Sequence, residues 1–387
     1  MDTKFELDEL NFLDEIDSIE SQYYNYNKKN ITNVSDWNPS YEFKSEICEI
    51  LAENYTIDNI DYIFSYTQSW DRKNDVLNRL GFNANSSILF THSGSASILN
   101  CINFLHSKNI NRLVILCPAY FTVFYACKIY GIECIKVYLN RNDYGYNIDY
   151  SILLKYKSKN TAFWITNPVY CTSVYYKSNM IEIFKSLLET NIVVFDENLC
   201  VSSKELSWQL GRYDNFVGIY SPHKSICING NKFSVVIASK GYQDFFDAWS
   251  DVLCGCLSTG NDIAISHYLS DNFSKYNSAF LNRIIHNKFN IENICKTEGV
   301  DFDEESYGYL ITVFFQNINA NIGINIKFIE DIMFNTGIRF IPGKRNHFCD
   351  NMGFCFRINL ATYNDKLYHT LKHAFKYINN GKWDDLL

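Results

Sequence analysis

Four stretches of this 387-residue chain combine residue types that could do chemistry. Thr91-His92-Ser93-Gly94-Ser95-Ala96-Ser97 lies between an apolar run and an amphipathic one. Small residues there let backbone N–H groups and hydroxyls approach a phosphate, and a helix dipole favours the anion. Asn167-Pro168 follows AFWIT and Asp196-Glu197 follows IVVF, so an amide and an acid stand where two apolar strands stop. Ser221-Pro222-His223-Lys224 follows FVGIY. A lysine at such a strand mouth can form an imine if its surroundings lower its pKa. Taken singly, each stretch has an ordinary reading: an N-cap, an Asx turn before proline, a solvated strand end, a loop lysine.

In order, a phosphate cradle, an amide, an acid and a lysine from successive strand ends make the set that pyridoxal phosphate needs. The lysine holds the aldehyde. The acid keeps the pyridine nitrogen protonated, so that the ring can act as an electron sink. The amide bonds the ring oxygen. An aromatic ring should cover one cofactor face, and Tyr120, in Cys-Pro-Ala-Tyr after RLVIL, is suitably placed.

The elements that must position these groups read as an α/β chain. Strands are expected at Ser87–Phe90, Arg112–Leu116, Glu133–Val137, Ala162–Ile165, Ile192–Phe195, Phe216–Tyr220 and Ser234–Ala238, with helices near Ala96–Ser107, Thr122–Tyr130 and Asn179–Glu189. This alternation predicts a large, mostly parallel seven-stranded sheet covered on both faces. Long helices follow to about Lys288. Beyond them, strands Tyr309–Phe315, Ile338–Phe340 and Phe354–Leu360 mix with helices Asn325–Phe334 and Asp365–Asn379 in a smaller α+β unit. Residues 1–24 read as an amphipathic helix or a loose arm, and Asn38-Pro39 as a turn. The expected division is 1–60 as N-terminal arm and part of the small domain, 61–288 as the large cofactor-binding domain and 289–387 as the C-terminal small domain.

The chain resembles the fold-type I pyridoxal-phosphate enzymes, in their class I/II aminotransferase-like group, from about Tyr66 to its end. Asn167-Pro168, Asp196, Ser221-x-x-Lys224 and Phe356-Arg357-Ile358-Asn359-Leu360-Ala361 stand in that group's order, with Ile341-Pro342-Gly343 ahead of the arginine. Spacings of 29 residues from Asn167 to Asp196, 28 from there to Lys224 and 133 on to Arg357 agree with it. The resemblance implies that Lys224 is the Schiff-base lysine and proton shuttle and that Asp196 pairs with the pyridinium. It implies that Asn167 meets the ring oxygen, that Ser93, Gly94, Ser95, Ser221 and Lys232 hold the phosphate, and that Tyr120 covers the ring. Arg357 would grip the substrate α-carboxylate through a bidentate fork. Tyr66 would cross to the neighbouring subunit's phosphate in a homodimer with shared sites. Three positions depart from the group. Leu199 stands for a tyrosine, Lys232 for an arginine and Ser234 for a glycine. The expected activity is transamination of an amino acid's α-amino group. The departures keep open a non-transaminating alternative: elimination, cyclisation or oxidation of a modified amino acid.

Composition excludes other classes. Hydrophobic residues at 47% and charged residues at 20% are globular values. A net charge of −8 without a basic stripe argues against nucleic acid. The 13 cysteines include no CxxC and read as reduced thiols of a cytoplasmic protein. The acidic start lacks a signal peptide's pattern, and the most apolar run, Leu113 to Cys127, is too short to span a membrane. No GxGxxG follows a strand, which argues against a dinucleotide-binding dehydrogenase. His369 and His373 read as surface residues rather than metal ligands, so no metal is expected. His223 could tune Lys224 or simply pack.

Overall fold

The computed structural model describes residues 8–39, 44, 48–49, 52, 70–82, 86–142, 145–197, 205–249 and 257–386. In chain order its strands are β1 (Thr32–Asn33), β2 (Ser87–Thr91), β3 (Arg112–Cys117), β4 (Glu133–Tyr138), β5 (Asn140–Asn142), β6 (Gly145–Asn147), β7 (Thr161–Thr166), β8 (Val193–Glu197), β9 (Phe216–Tyr220), β10 (Ser234–Ala238), β11 (Asp301–Phe302), β12 (Leu310–Phe315), β13 (Ile338–Arg339) and β14 (Phe354–Asn359). Seven of them form the large sheet, in the order β2-β10-β9-β8-β7-β3-β4. β10 runs antiparallel to both neighbours, and the remaining pairs are parallel. The expected mostly parallel sheet is therefore present.

A period of two sorts the strand side chains between two layers. Leu113, Ile115 and Cys117 join Ala162, Trp164, Val194, Val217 and Ile219 under helices Gly94–Ser107 and Phe121–Tyr130. Val114, Leu116, Phe163, Ile165 and Phe195 face the other way, against helix Ser178–Leu188 and the rest of the core. Covered on both faces, β7, β8, β9 and β10 are buried at every residue, which is why they read as continuous apolar runs.

The smaller sheet, β11-β12-β14, is antiparallel. On β14, Phe354 and Phe356 pack with Phe315, Phe340 and Phe375. Alternation sends Arg357 to the opposite face, toward the large sheet. The N-terminal segment joins this unit: β1 pairs with β13, and helix Asp8–Asn27 buries Phe12, Ile16, Ile19 and Tyr23, with Tyr23 edge-on to Phe334. Of the two forms expected for the N-terminus, residues 8–27 adopt the helix.

Several boundaries differ from expectation by one or two residues, and two differences are more telling. The helix expected to stop near Lys288 spans Asp271–Glu298, because Ile291, Ile294 and Cys295 continue its buried stripe; Gly299, at φ 67°, ends it. It runs unbroken through residue 288. β8 extends two residues beyond Phe195 and takes in Asp196 and Glu197. Among the described residues, no helix is long and apolar enough to cross a membrane.

Candidate active site

The carboxyl ends of β7, β8 and β9 lie side by side, and register fixes what stands there. Thr166 is opposite Asp196, and Asp196 is opposite Ile219, so Asn167, Asp196 and Ser221 end adjacent strands. Asp196 is fully buried. Asn167 donates its backbone N–H to the Asp196 carbonyl at 3.0 Å, and its Nδ2 donates to Glu197 Oε2 at 2.7 Å. That bond uses one of the two amide protons. Burial lifts the Glu197 carboxyl to about 8, opposed by the Asn167 bond and reinforced by Glu205 nearby.

The cradle forms where β2 gives way to helix Gly94–Ser107. Ser93, extended at φ −162°, caps the helix by accepting the Ala96 N–H at 3.2 Å. A β-carbon on Gly94 would come 3.0 Å from Ser221 Oγ and 3.4 Å from Lys224 Nζ. The helix start, the serine and the lysine thus converge from three separate segments, and glycine keeps the approach open. Lys224 lies in the 3₁₀ turn Pro222–Ile226, tied by its N–H to the Ser221 carbonyl at 3.0 Å. Behind the cradle, buried hydroxyls join the strands. Ser97 and Ser221 donate to Ser234 Oγ at 2.9 and 3.0 Å, Ser234 donates to the Tyr220 carbonyl at 2.7 Å, and Thr91 Oγ1 lies 2.7 Å from Ser97 Oγ. Ser234, a departure in the sequence, is the hub of this network.

Behind Lys224, His223 is buried against Phe233, Phe273 and His267, its Nε2 3.3 Å from His267 Nδ1. Burial, with the neighbouring histidine, pushes His223 down to about 3; burial, with Arg79, pushes His267 down to about 4. Both rings are neutral and packed at ordinary pH.

Arg357 is buried on β14. Its Nη1 donates to the Tyr170 hydroxyl at 3.3 Å and meets Cys171 Sγ at 3.5 Å, and its Nη2 donates to the Ser35 carbonyl at 3.2 Å. Among the described residues, Nε has no hydrogen-bond partner and no carboxylate forms an ion pair with this guanidinium. Its Cζ lies 4.3 Å from the Trp37 ring centroid, and Lys224 Nζ lies 5.4 Å from the same centroid. Tyr120, half-buried, precedes helix Phe121–Tyr130 and lies 5.8 Å from Tyr170, ring to ring. Lys232 is half-buried, and desolvation lowers its pKa. Ser95 is exposed in the first turn after Ser93. Tyr66 and Leu199 lie outside the described residues.

The donor set fits pyridoxal phosphate. A helix N-terminus with small residues and hydroxyls suits the phosphate, and a buried acid and an amide at strand ends suit the ring. The lysine reaches the cradle. Sequence reasoning did not single out Trp37, Tyr170 or Tyr309 as parts of this site, and it named Glu197 only beside Asp196 and Ser234 only as a departure, giving neither a role. For Ser234 and Glu197 the signal was available, as a polar residue in or beside an apolar strand. Trp37 and Tyr309 had none, being brought in only by tertiary packing.

No family model matches the chain, and no curated protein matches it. Solved structures do. An aspartate aminotransferase from Thermotoga maritima superposes with a TM-score of 0.77 at 14% identity, over 95% of this chain and 97% of its own. YbdL from Escherichia coli, identified as having a methionine aminotransferase function, gives 0.76 at 13%, over 94% and 97%. N-succinyldiaminopimelate aminotransferase from Mycobacterium tuberculosis gives 0.75 at 14%, over 94% and 96%. The chain has the aminotransferase fold over nearly its whole length.

Proposed function

We propose that this chain is a pyridoxal-phosphate-dependent, aminotransferase-like enzyme acting on the α-amino group of an amino acid. The observation that carries the reading is the pairing of Lys224, at a phosphate-type helix N-terminus, with Arg357, a buried guanidinium that has no carboxylate among the described residues. A buried charge without a counter-ion is costly, and an incoming carboxylate would relieve it.

When bound, the cofactor supplies an electron sink for the charge left at the substrate Cα. Ser93, Gly94, Ser95, Ser221 and Lys232 would hold its phosphate, Asn167 its ring oxygen and Asp196 its ring nitrogen, with Tyr120 over one face. Lys224 would hold the aldehyde and move the proton at Cα. Arg357 would orient the substrate carboxylate, so that the Cα–H bond stands across the ring. Residues 61–288 form the large unit in this reading, with 1–60 and 289–387 the small one. The enzyme would work in the cytoplasm as a homodimer, each subunit completing its neighbour's phosphate site with Tyr66.

The test is addition of pyridoxal phosphate to purified protein. A visible absorption band should appear, and borohydride should fix the cofactor to Lys224. An amino acid should then convert the cofactor stoichiometrically to its amine form, without release of ammonia. Protein that stays colourless, or labels at another lysine, overturns the proposal.

A further inference from the structure

Trp37 is held from both sides of the site. Its carbonyl accepts from Asn229 Nδ2 at 2.5 Å and from Cys227 Sγ at 3.4 Å, on the segment that follows Lys224. The preceding residues are bound to β14. The Asp36 carbonyl accepts from Asn359 Nδ2 at 2.8 Å, the Val34 carbonyl from the Asn359 N–H at 2.7 Å, and Ser35 Oγ donates to the Arg357 carbonyl at 2.7 Å. So clamped, the half-buried indole meets Arg357, which would receive the α-carboxylate of an amino acid, and Lys224, beside which its α-amino group would react. The atom between those ends is Cα, so the substrate side chain must leave from beside this ring.

Two further aromatic side chains stand close by. Tyr170 bonds the guanidinium, and Tyr309 stands edge-on to Trp37 with centroids 6.5 Å apart. Among the described residues the buried Tyr309 hydroxyl has no hydrogen-bond partner, a polar atom that a bound molecule would satisfy. Among the described residues, the cations that meet the Trp37 ring are Lys224 and Arg357, and no acid forms an ion pair with Arg357. An acidic side chain would meet no cation over this ring beyond the Arg357 that the α-carboxylate takes, and a basic one would lie beside that guanidinium. Aromatic rings gain most from such walls, through offset and edge contacts.

Resting on the reading above, we propose that Trp37 determines specificity and that the substrate class is neutral amino acids with aromatic side chains. The test uses carboxylates that lack an amino group, so that it reads binding rather than turnover. Hydrocinnamate, propionate and succinate are titrated by calorimetry into cofactor-loaded wild type, Trp37→Ala and Trp37→Phe. Hydrocinnamate should bind wild type at least about tenfold more tightly than the other two, the scale of one well-matched apolar contact. Trp37→Ala should lose that advantage while holding propionate within about twofold, and Trp37→Phe, which keeps a ring, should retain most of it. Succinate binding most tightly, an advantage that survives Trp37→Ala, or an equal loss for all three carboxylates would each overturn the proposal. Circular dichroism of both variants separates a binding effect from misfolding. Failure of wild type to take up pyridoxal phosphate counts against the cofactor reading instead, since the carboxylate series can still be run on the unloaded protein.

Discussion

At the scale of single residues, the site sets two buried ionisable groups in opposite situations. Arg357 keeps its charge and is held by a hydroxyl, a thiol and a carbonyl. An ammonium in its place can neutralise a carboxylate but cannot hold its plane. Arg357→Lys should leave the fold and cofactor uptake nearly unchanged while kcat/KM falls by about 2–5 kcal/mol, the range for breaking a buried charge pair. Early melting with intact kinetics per folded molecule would make Arg357 a structural residue. Glu197 gives up its charge instead. Its folded pKa of about 8 stands above the ordinary 4.5, so between those values the folded chain keeps a proton that the unfolded chain has released. Stability should therefore fall as pH rises through that window. Glu197→Gln removes the titration but keeps an oxygen for Asn167. The drop in melting temperature from pH 5 to pH 8.5 should be smaller in the variant, and equal drops would show that Glu197 is ionised in the fold.

Among elements, the joint between β2, β9, β10 and helix Gly94–Ser107 carries the most consequence. Parallel strands deliver their carboxyl ends to one edge, but hydrogen bonds along the strands do not fix the helix against them. Ser234 does this through Ser97, Ser221 and the Tyr220 carbonyl. Ser234→Gly would install the glycine usual in the resembling enzymes and strip out the hub. Lost buried hydrogen bonds cost about 1–3 kcal/mol, and glycine inside a strand roughly 0.5–1 more. Urea unfolding should show a loss in that range, and the cofactor should dissociate more readily because Ser221 loses its anchor. Unchanged stability would mean that the strands position the cradle without the hydroxyls.

For the whole molecule, the proposed site lies where the segment after β7 meets the small sheet. Cys171 and Ser173, after β7, grip the small sheet: the Cys171 carbonyl accepts from Thr312 Oγ1 at 2.9 Å, and Ser173 Oγ accepts the Leu310 N–H at 3.2 Å. Val34 to Trp37 crosses the same boundary from the N-terminal side. In the proposed reading each unit would supply one end of the substrate site, so their mutual placement would set the distance between Lys224 and Arg357. If Tyr66 completes a neighbour's site, activity requires assembly. Sedimentation should find a C2 homodimer at micromolar concentration, and an active monomer there would contradict the shared-site reading.

What the sequence determined by itself is governed by local rules. Six of the seven large-sheet strands were legible because burial makes them short continuous apolar runs, while the edge strand β4 is largely exposed. Asn167, Asp196 and Lys224 stood out as polar residues where such runs stop. Arg357 was legible as a charge inside an apolar strand. The two- and three-residue strands β1, β5, β6 and β11 were too short for any periodicity, whereas β13, expected at Ile338–Phe340, forms at Ile338–Arg339. The continuation of the helix past Lys288 was missed because its buried stripe resumes only at Ile291. Tertiary structure alone decided which aromatic rings surround Arg357. Ser35 and Arg357 are bonded across 322 residues of chain, and nothing local to VSDWNP records that contact. Likewise, only packing distinguishes Glu197, sealed in and proton-retaining, from an ordinary strand-end acid. A residue's own neighbours in sequence set its backbone; its dielectric surroundings and its partners come from segments that only folding brings to it.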